Sequence, residues 1–376
     1  MRVILVANKQ EYLMFILLFF STLLLVGCQM DEADQTKSPK DKVTTSPKED
    51  STLQKVVPLQ LANDEIAVFY GWIDNQTILF TSDKDSSSKL FTYQLNTGEK
   101  SLLFESDYPI NEVYISPDTE HIVVQSASTP SQWLLDVISR DGQVQWSESI
   151  DGTELFVSWN HYETAEIIIS TFAEDWSFTS YLLSIEQQKV EEITIPEPFV
   201  HWMSKDKFVY LNWDEDAPAL VASLIEQSKD GKTVERFSDV YYVDTFSEMI
   251  MTVSVSENHD EEAVYTFMNN EYQEIFSTSI PHLSSFSGWM IPQYEMLANH
   301  RFLLFKPQYS TAADSYHGKY DLILIDLLKG DQETVLESVE NEPLSCSPDA
   351  EKCLYGHYLD KLFIVNKKEV VNLTEK

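Results

Sequence analysis

ISPDTEHIV (Ile115–Val123) and CSPDAEKCL (Cys346–Leu354) are two copies of one short pattern: an apolar position, a Ser-Pro-Asp turn, then a β-prone run. Proline presets the backbone of such a turn, and the Ser and Asp oxygens bond backbone N–H groups within it. Looser copies start at Trp72, Trp159, Trp202 and Val243, and a lengthened one runs from Trp289 to Phe305. Ordered along the chain, the first positions are separated by 43, 44, 43, 41, 46 and 57 residues. A period in the low forties is that of a four-stranded propeller blade.

A second signal keeps the same beat. After each of these hairpins comes an apolar strand and a turn, as in Leu90–Leu95 before Asn96-Thr97-Gly98 and Trp133–Ser139 before Arg140-Asp141-Gly142. Paired β runs joined by such residues are hairpins. The reading is therefore all-β: residues 57–376 form a β-propeller of seven four-stranded blades. Six is the alternative if the faint fifth copy is not a blade. One blade cannot bury both faces of its sheet, whereas a ring of blades buries face against face. The extra length at Trp289–Phe305 is read as an insertion, Gln293–His300, in the first hairpin of blade six.

The N-terminus carries an export signal. Arg2 and Lys9 precede YLMFILLFFSTLLLV (Tyr12–Val26), an uncharged run of 15 residues. That is the length of a signal-peptide core and short of the roughly 20 residues a spanning helix needs. The run ends on Leu25-Val26-Gly27-Cys28, which resembles the lipobox of bacterial lipoproteins. The resemblance implies cleavage after residue 27 and a diacylglyceryl group on the Cys28 thiol; its two acyl chains anchor where one would not. Residues 29–56 are polar and rich in Lys, Asp, Ser, Thr and Pro, too poor in apolar surface to fold. They read as a spacer of roughly 30 Å. The expected organisation is signal peptide 1–27, lipidated Cys and linker 28–56, and propeller 57–376, held at the outer face of the cell membrane.

The Ser-Pro-Asp hairpins resemble the TolB and WD40-like repeats. Lipobox, linker and propeller together resemble the YqgU-like propeller lipoproteins of Gram-positive bacteria, a family described as six-bladed. The resemblance implies no defined activity and no catalytic residues.

The chain has 26 basic and 61 acidic residues, a net charge of −35, and the whole excess falls in 57–376. Nucleic acid is a poor partner for such a surface, since phosphate binding needs Lys and Arg patches. Cations and basic peptides would be steered in. Besides Cys28 only Cys346 and Cys353 occur; they flank a turn, and an oxidising exterior permits a disulfide between them. Two free thiols are the alternative.

Strand order decides where loops point. The first and third connections within a blade (A–B and C–D) emerge on one face, and the B–C loops and D–A connections on the other. Acidic residues crowd the second face: Asp214-Glu215-Asp216 in blade four and His259-Asp260-Glu261-Glu262 in blade five. Blade six adds a long loop with Tyr309, Tyr316 and His317. These are the candidate ligand-contact residues. The Trp residues of the A strands are read as packing wedges. No HExxH, GxSxG, Walker or GxGxxG motif is present, no Ca²⁺-loop spacing occurs, and no metal ligand or catalytic residue is assigned. The leading expectation is a non-enzymatic module that binds a protein, a peptide or a cell-envelope component. An extracellular hydrolase or lyase at the acidic mouth and a scaffold stabilised by Ca²⁺ are the alternatives.

Overall fold

Each repeat closes as an antiparallel meander of four strands, A to D. The computed structural model describes residues 56–84, 88–214, 219–256, 261–285 and 288–376. The expected signal peptide, Cys28 and the linker to residue 55 lie outside the described residues. Blade one comprises Ala67–Trp72, Thr77–Ser82, Lys89–Gln94 and Lys100–Glu105, and blade two Ile110–Ile115, His121–Thr129, Gln132–Ser139 and Val144–Asp151. Blade three is Glu154–Trp159, Glu166–Phe172, Phe178–Ser184 and Lys189–Ile193; blade four is His201–Ser204, Lys207–Asn212, Ala222–Ser228 and Thr233–Val240. Blade five is Tyr242–Phe246, Met249–Val255, Glu262–Asn269 and Glu274–Pro281. Blade six is Tyr294–Leu297, Arg301–Pro307, Tyr320–Asp326 and Asp331–Val339, and blade seven Leu344–Cys346, Lys352–Tyr355, Lys361–Ile364 and Glu369–Asn372. The described chain is all-β, with seven four-stranded blades in a ring.

The quoted turns form for the reason their residues suggest. Ser116 Oγ donates to Asp118 Oδ1 (2.6 Å) and accepts from His121 N (2.9 Å), and Glu120 N donates to Asp118 Oδ1 (3.1 Å). Ser347, Asp349, Glu351 and Lys352 repeat this in blade seven. The turn residues Thr119 and Ala350 take the left-handed conformation, φ 61° and 56°. These turns also stitch blades together. Thr164 Oγ1 of blade three donates to Asp118 Oδ2 (2.5 Å), and Asp349 N of blade seven donates to Asn75 Oδ1 of blade one (3.0 Å).

The core is seven separate apolar clusters, one between each pair of successive blades. Ile73, Leu79 and Leu90 pack on Val113 and Ile122 between blades one and two. Val137 packs on Ile167 between two and three, Ile168 on Trp202 between three and four, and Val209 on Ile250 between four and five. Phe267 meets Phe302 between five and six, and Phe305 meets Tyr355 between six and seven. The seventh cluster joins Phe69 and Phe80 of blade one to Leu354 and Leu362 of blade seven, and so closes the ring. The B strands lie between neighbours and are buried on both faces; every residue of Thr77–Ser82 is buried. The D strands form the rim and read as polar sequence, as in Lys100–Glu105.

Closure involves no exchange of strands, because the first and last blades are each built from one end of the chain. A parallel pair, Leu59–Gln60 with Thr374–Glu375, clasps the two ends instead. Leu59 and Leu373 insert beneath it into the closing cluster.

Two register expectations need correction. In blade five the A strand runs to Phe246 and turns at Ser247–Glu248, later than a copy starting at Val243 implies. In blade six the A strand is Tyr294–Leu297, so Gln293–His300 is not a hairpin insertion. The extra residues lie before that strand. They form a two-stranded excursion, Leu283–Ser285 with Gly288–Met290, to which Thr311–Ala312 of the long loop adds in parallel. The cause of the misreading is that Trp289 falls in the excursion and not in an A strand; Leu297 stands where the other blades carry the position before the turn.

Candidate functional site

The sequence-chosen residues fall on the B–C and D–A face, and the structure unites only some of them. Asp214 is exposed in the blade-four loop; Glu215, Asp216, His259 and Asp260 lie outside the described residues. Glu261 is tied into the fold: its carbonyl accepts from His282 N (3.1 Å) and from Ser310 Oγ of the blade-six loop. Tyr316 pins that loop. Its hydroxyl accepts from Gln308 N (2.9 Å) and donates to Lys319 O (2.6 Å), and its ring packs on Tyr309 and Tyr320 with centroids 4.9 and 5.1 Å apart. A side chain at Gly318 would meet the Tyr316 hydroxyl at 2.7 Å, so the loop needs glycine there. Tyr309 and His317 are left exposed. Several acids of this face serve the loops themselves. Asp83 accepts from Ile66 N and Glu197 from Trp213 N, both at 2.9 Å.

The same face holds most of the exposed apolar surface. Of thirteen large apolar side chains exposed among the described residues, nine lie on it, three on the D-strand rim and one on the opposite face. They are densest at blades three and four: Trp176, Phe199, Trp213 and Leu220. Phe199 packs edge-on to Phe156 (5.2 Å) and against Phe172 (5.7 Å), which also contacts Trp176 (6.4 Å). Beside them opens a cavity of about 270 Å³ lined by Phe156, Phe199, Leu211, Trp213, Tyr242 and His201.

A second site was not foreseen. Successive A strands bring polar side chains to the axis. His201 Nδ1 lies 3.1 Å from Asp244 Oδ1, Tyr294 donates to Asp244 Oδ2 (2.5 Å), and the Tyr242 and Tyr294 hydroxyls are 2.5 Å apart. Burial pushes the Asp244 carboxyl up, but hydrogen bonds from His201, Tyr294 and Thr245 N outweigh it and hold it below its ordinary value. Burial and the Asp244 charge push Tyr242 up to about 12. On the far side of this network a cavity of about 700 Å³ opens toward the A–B turns. Six of the seven A strands line it, with Tyr70, Tyr114, Phe246 and Glu295 among their side chains, and His161 reaches it from the A–B turn of blade three. Glu295 is pushed up to about 7, first by burial and then by Asp244, while the Cys346 N–H (3.2 Å) opposes the shift. Burial lowers His161.

The A-strand Trp side chains are wedges. Trp72, Trp159 and Trp202 are buried, and their indole N–H groups donate to Ser345 O (2.8 Å), Thr164 O (2.8 Å) and Ser158 O (3.1 Å); Ser345 and Ser158 belong to the neighbouring blades. Cys346 and Cys353 are paired across the first hairpin of blade seven and disulfide-bonded. Among the described residues no three His, Cys, Asp or Glu side chains group to hold a metal ion, and no helix is long and apolar enough to cross a membrane.

Residues 94–356 match the family model of the YqgU-like 6-bladed beta propeller domain. The matched span runs from the end of strand C of blade one to just past strand B of blade seven, enclosing five complete sheets and parts of two more. The chain is 24% identical over 361 residues to the uncharacterized lipoprotein YqgU of Bacillus subtilis (strain 168), covering 96% of each. Its fold matches the crystal structure of protein lmo1340 from Listeria monocytogenes EGD-e (TM-score 0.78, 21% identity, 85% of this chain and 98% of that one). It also matches the β-propeller domain of the Trilobed protease from Pyrococcus furiosus, described as having an open velcro topology (TM-score 0.54, 16% identity, 85% and 97%).

Proposed function

The chain belongs to the YqgU-like β-propeller family, and from that premise we propose that it is a lipid-anchored, extracytoplasmic binding module whose B–C and D–A face docks a basic protein or peptide. The observation that carries this reading is the segregation of exposed apolar side chains onto one face, centred on Trp176, Phe199 and Trp213. Aromatic anchors beside a pocket are what dominates the affinity of protein interfaces. Glu174 and Asp175 precede Trp176 in the chain, Asp214 follows Trp213, and Glu197 accepts from Trp213 N (2.9 Å), and a rim of one sign favours a partner of the other. The anchor fits the same picture. A domain with a net charge of −35 is repelled by anionic lipid, so its retention at the membrane rests on the lipid at Cys28.

Catalysis at the axis is the second reading, favoured by the His201–Asp244 pair. The hydroxyls that join it, however, are phenols held by a carboxylate, and burial and the Asp244 charge push Tyr294 far up. Such a hydroxyl keeps its proton and is a poor nucleophile. The network braces three A strands.

The test is affinity capture from intact cells with the lipidated chain, compared with Trp176→Ser/Trp213→Ser. The natural chain should retain a defined basic partner that the double variant loses at unchanged thermal stability. The same captured set from both chains would refute the assignment to this face.

A further inference from the structure

The axial cavity is on the opposite side of the His201–Asp244 network from the docking face and is independent of it. Its volume, about 700 Å³, falls within the range of small-molecule sites. Its chemistry is selective. Among the described residues no Lys or Arg lines it, and the one carboxylate in its wall is Glu295. The Tyr70 and Tyr114 hydroxyls are tied back to Thr81 Oγ1 (3.1 Å) and Gln125 Oε1 (3.2 Å) on their B strands, which leaves their rings, with that of Phe246, as wall. An anion entering here would meet Glu295 with Asp244 behind it and no compensating charge. A cation would meet a carboxylate and the electron-rich faces of aromatic rings.

We propose that the axial cavity binds a small organic cation, an amine with an apolar body, whose ammonium group pairs with the Glu295 carboxylate while the body lies against Tyr70, Tyr114 and Phe246. The groups acting on Glu295 are Asp244 from blade five and the Cys346 N–H from blade seven; His161 of the blade-three turn lines the same cavity and faces Asp244 and His201, and Glu112 lies beside Tyr70 and Tyr114. His161, lowered by burial, is mostly uncharged above its ordinary 6.5. Glu295 is the group that changes charge near neutrality, because its carboxyl is pushed up to about 7. A bound ammonium requires it ionised, and the ionised fraction rises about tenfold between pH 6 and pH 8.

The experiment titrates the mature chain in nanodiscs of zwitterionic lipid, with empty discs as blank, using three probes of one shape: phenethylamine, 2-phenylethanol and phenylacetate. Binding is read by calorimetry at pH 6, 7 and 8. Phenethylamine should bind saturably and about tenfold more tightly at pH 8 than at pH 6, 2-phenylethanol more weakly and without the pH dependence, and phenylacetate not at all. Glu295→Gln should weaken the amine and flatten its pH profile, whereas Trp176→Ser on the docking face should leave both unchanged. Equal binding of phenylacetate, no saturable binding of the amine up to about 10 mM (a free energy of only about −3 kcal/mol), or an unaltered profile in Glu295→Gln would overturn the proposal.

Discussion

Glu295 should make the folded chain less stable as pH rises toward neutrality, and Glu295→Gln should remove this loss. Its carboxyl is pushed from an ordinary 4.5 to about 7 by burial in the cavity wall and by Asp244. Below 4.5 the folded and unfolded chains both carry the proton. Between 4.5 and 7 the folded chain keeps a proton that the unfolded chain releases, so stability falls with rising pH; above 7 the loss is complete and constant. The full interval, at about 1.4 kcal/mol per pH unit, corresponds to about 3 kcal/mol. Glu295 lines an open cavity, and water there screens part of the effect, so about 1 to 3 kcal/mol is expected. The glutamine amide is neutral at every pH and can still accept from Cys346 N. Urea unfolding of both chains, followed by tryptophan fluorescence, should show similar stabilities at pH 5 and the variant ahead by that margin at pH 8. A difference that stays the same from pH 5 to pH 8, or a variant less stable at pH 8, would show that the carboxyl is not held in its protonated form.

Three further outcomes are expected. Leu373→Ala, which empties a fully buried position in the closing cluster, should cost about 2–5 kcal/mol in urea unfolding; a loss below about 1 kcal/mol would mean that the clasp contributes little to closure. Replacing Cys346 and Cys353 together by Ser opens a loop with a sequence separation of 7 and should lower stability by about 2 kcal/mol, a gap that narrows once both chains are kept reduced, to the cost of a Ser hydroxyl at the fully buried position 353. Cys28→Ser should lose its lipid and appear in the medium, as followed by fractionation and mass spectrometry; a variant still firmly membrane-bound would argue for an uncleaved N-terminal helix.

The blades were legible in the sequence because their signals are local. A Ser-Pro-Asp turn bonds within itself, and an alternating strand pairs with the next strand after a short turn, so Ile115–Val123 and Cys346–Leu354 declare their hairpins without reference to the rest of the chain. Where a copy lacked a good turn, register slipped. In blade five no proline marks Ser247–Glu248, and in blade six Trp289 drew the reading into an excursion that a later loop completes. The wedge role of Trp72, Trp159 and Trp202 was also readable, since a large apolar side chain recurring in the A strands has a neighbouring blade to fill.

The axial cluster was hidden for a geometric reason. Each blade gives the axis only its A strand and the turn that follows, so His161, His201, Asp244 and Glu295 are about one blade apart in the chain and share no spacing motif. Within their own strands His201, Asp244 and Glu295 read as isolated polar residues. Nor does the sequence say that nine exposed apolar side chains share one face, since that depends on every strand keeping its direction around the ring. The sequence by itself determined the acidity and the blade, which are properties of composition and of short segments. The tertiary structure alone decided which residues meet, because ring closure converts a repeat of some forty residues into contacts a few ångströms long.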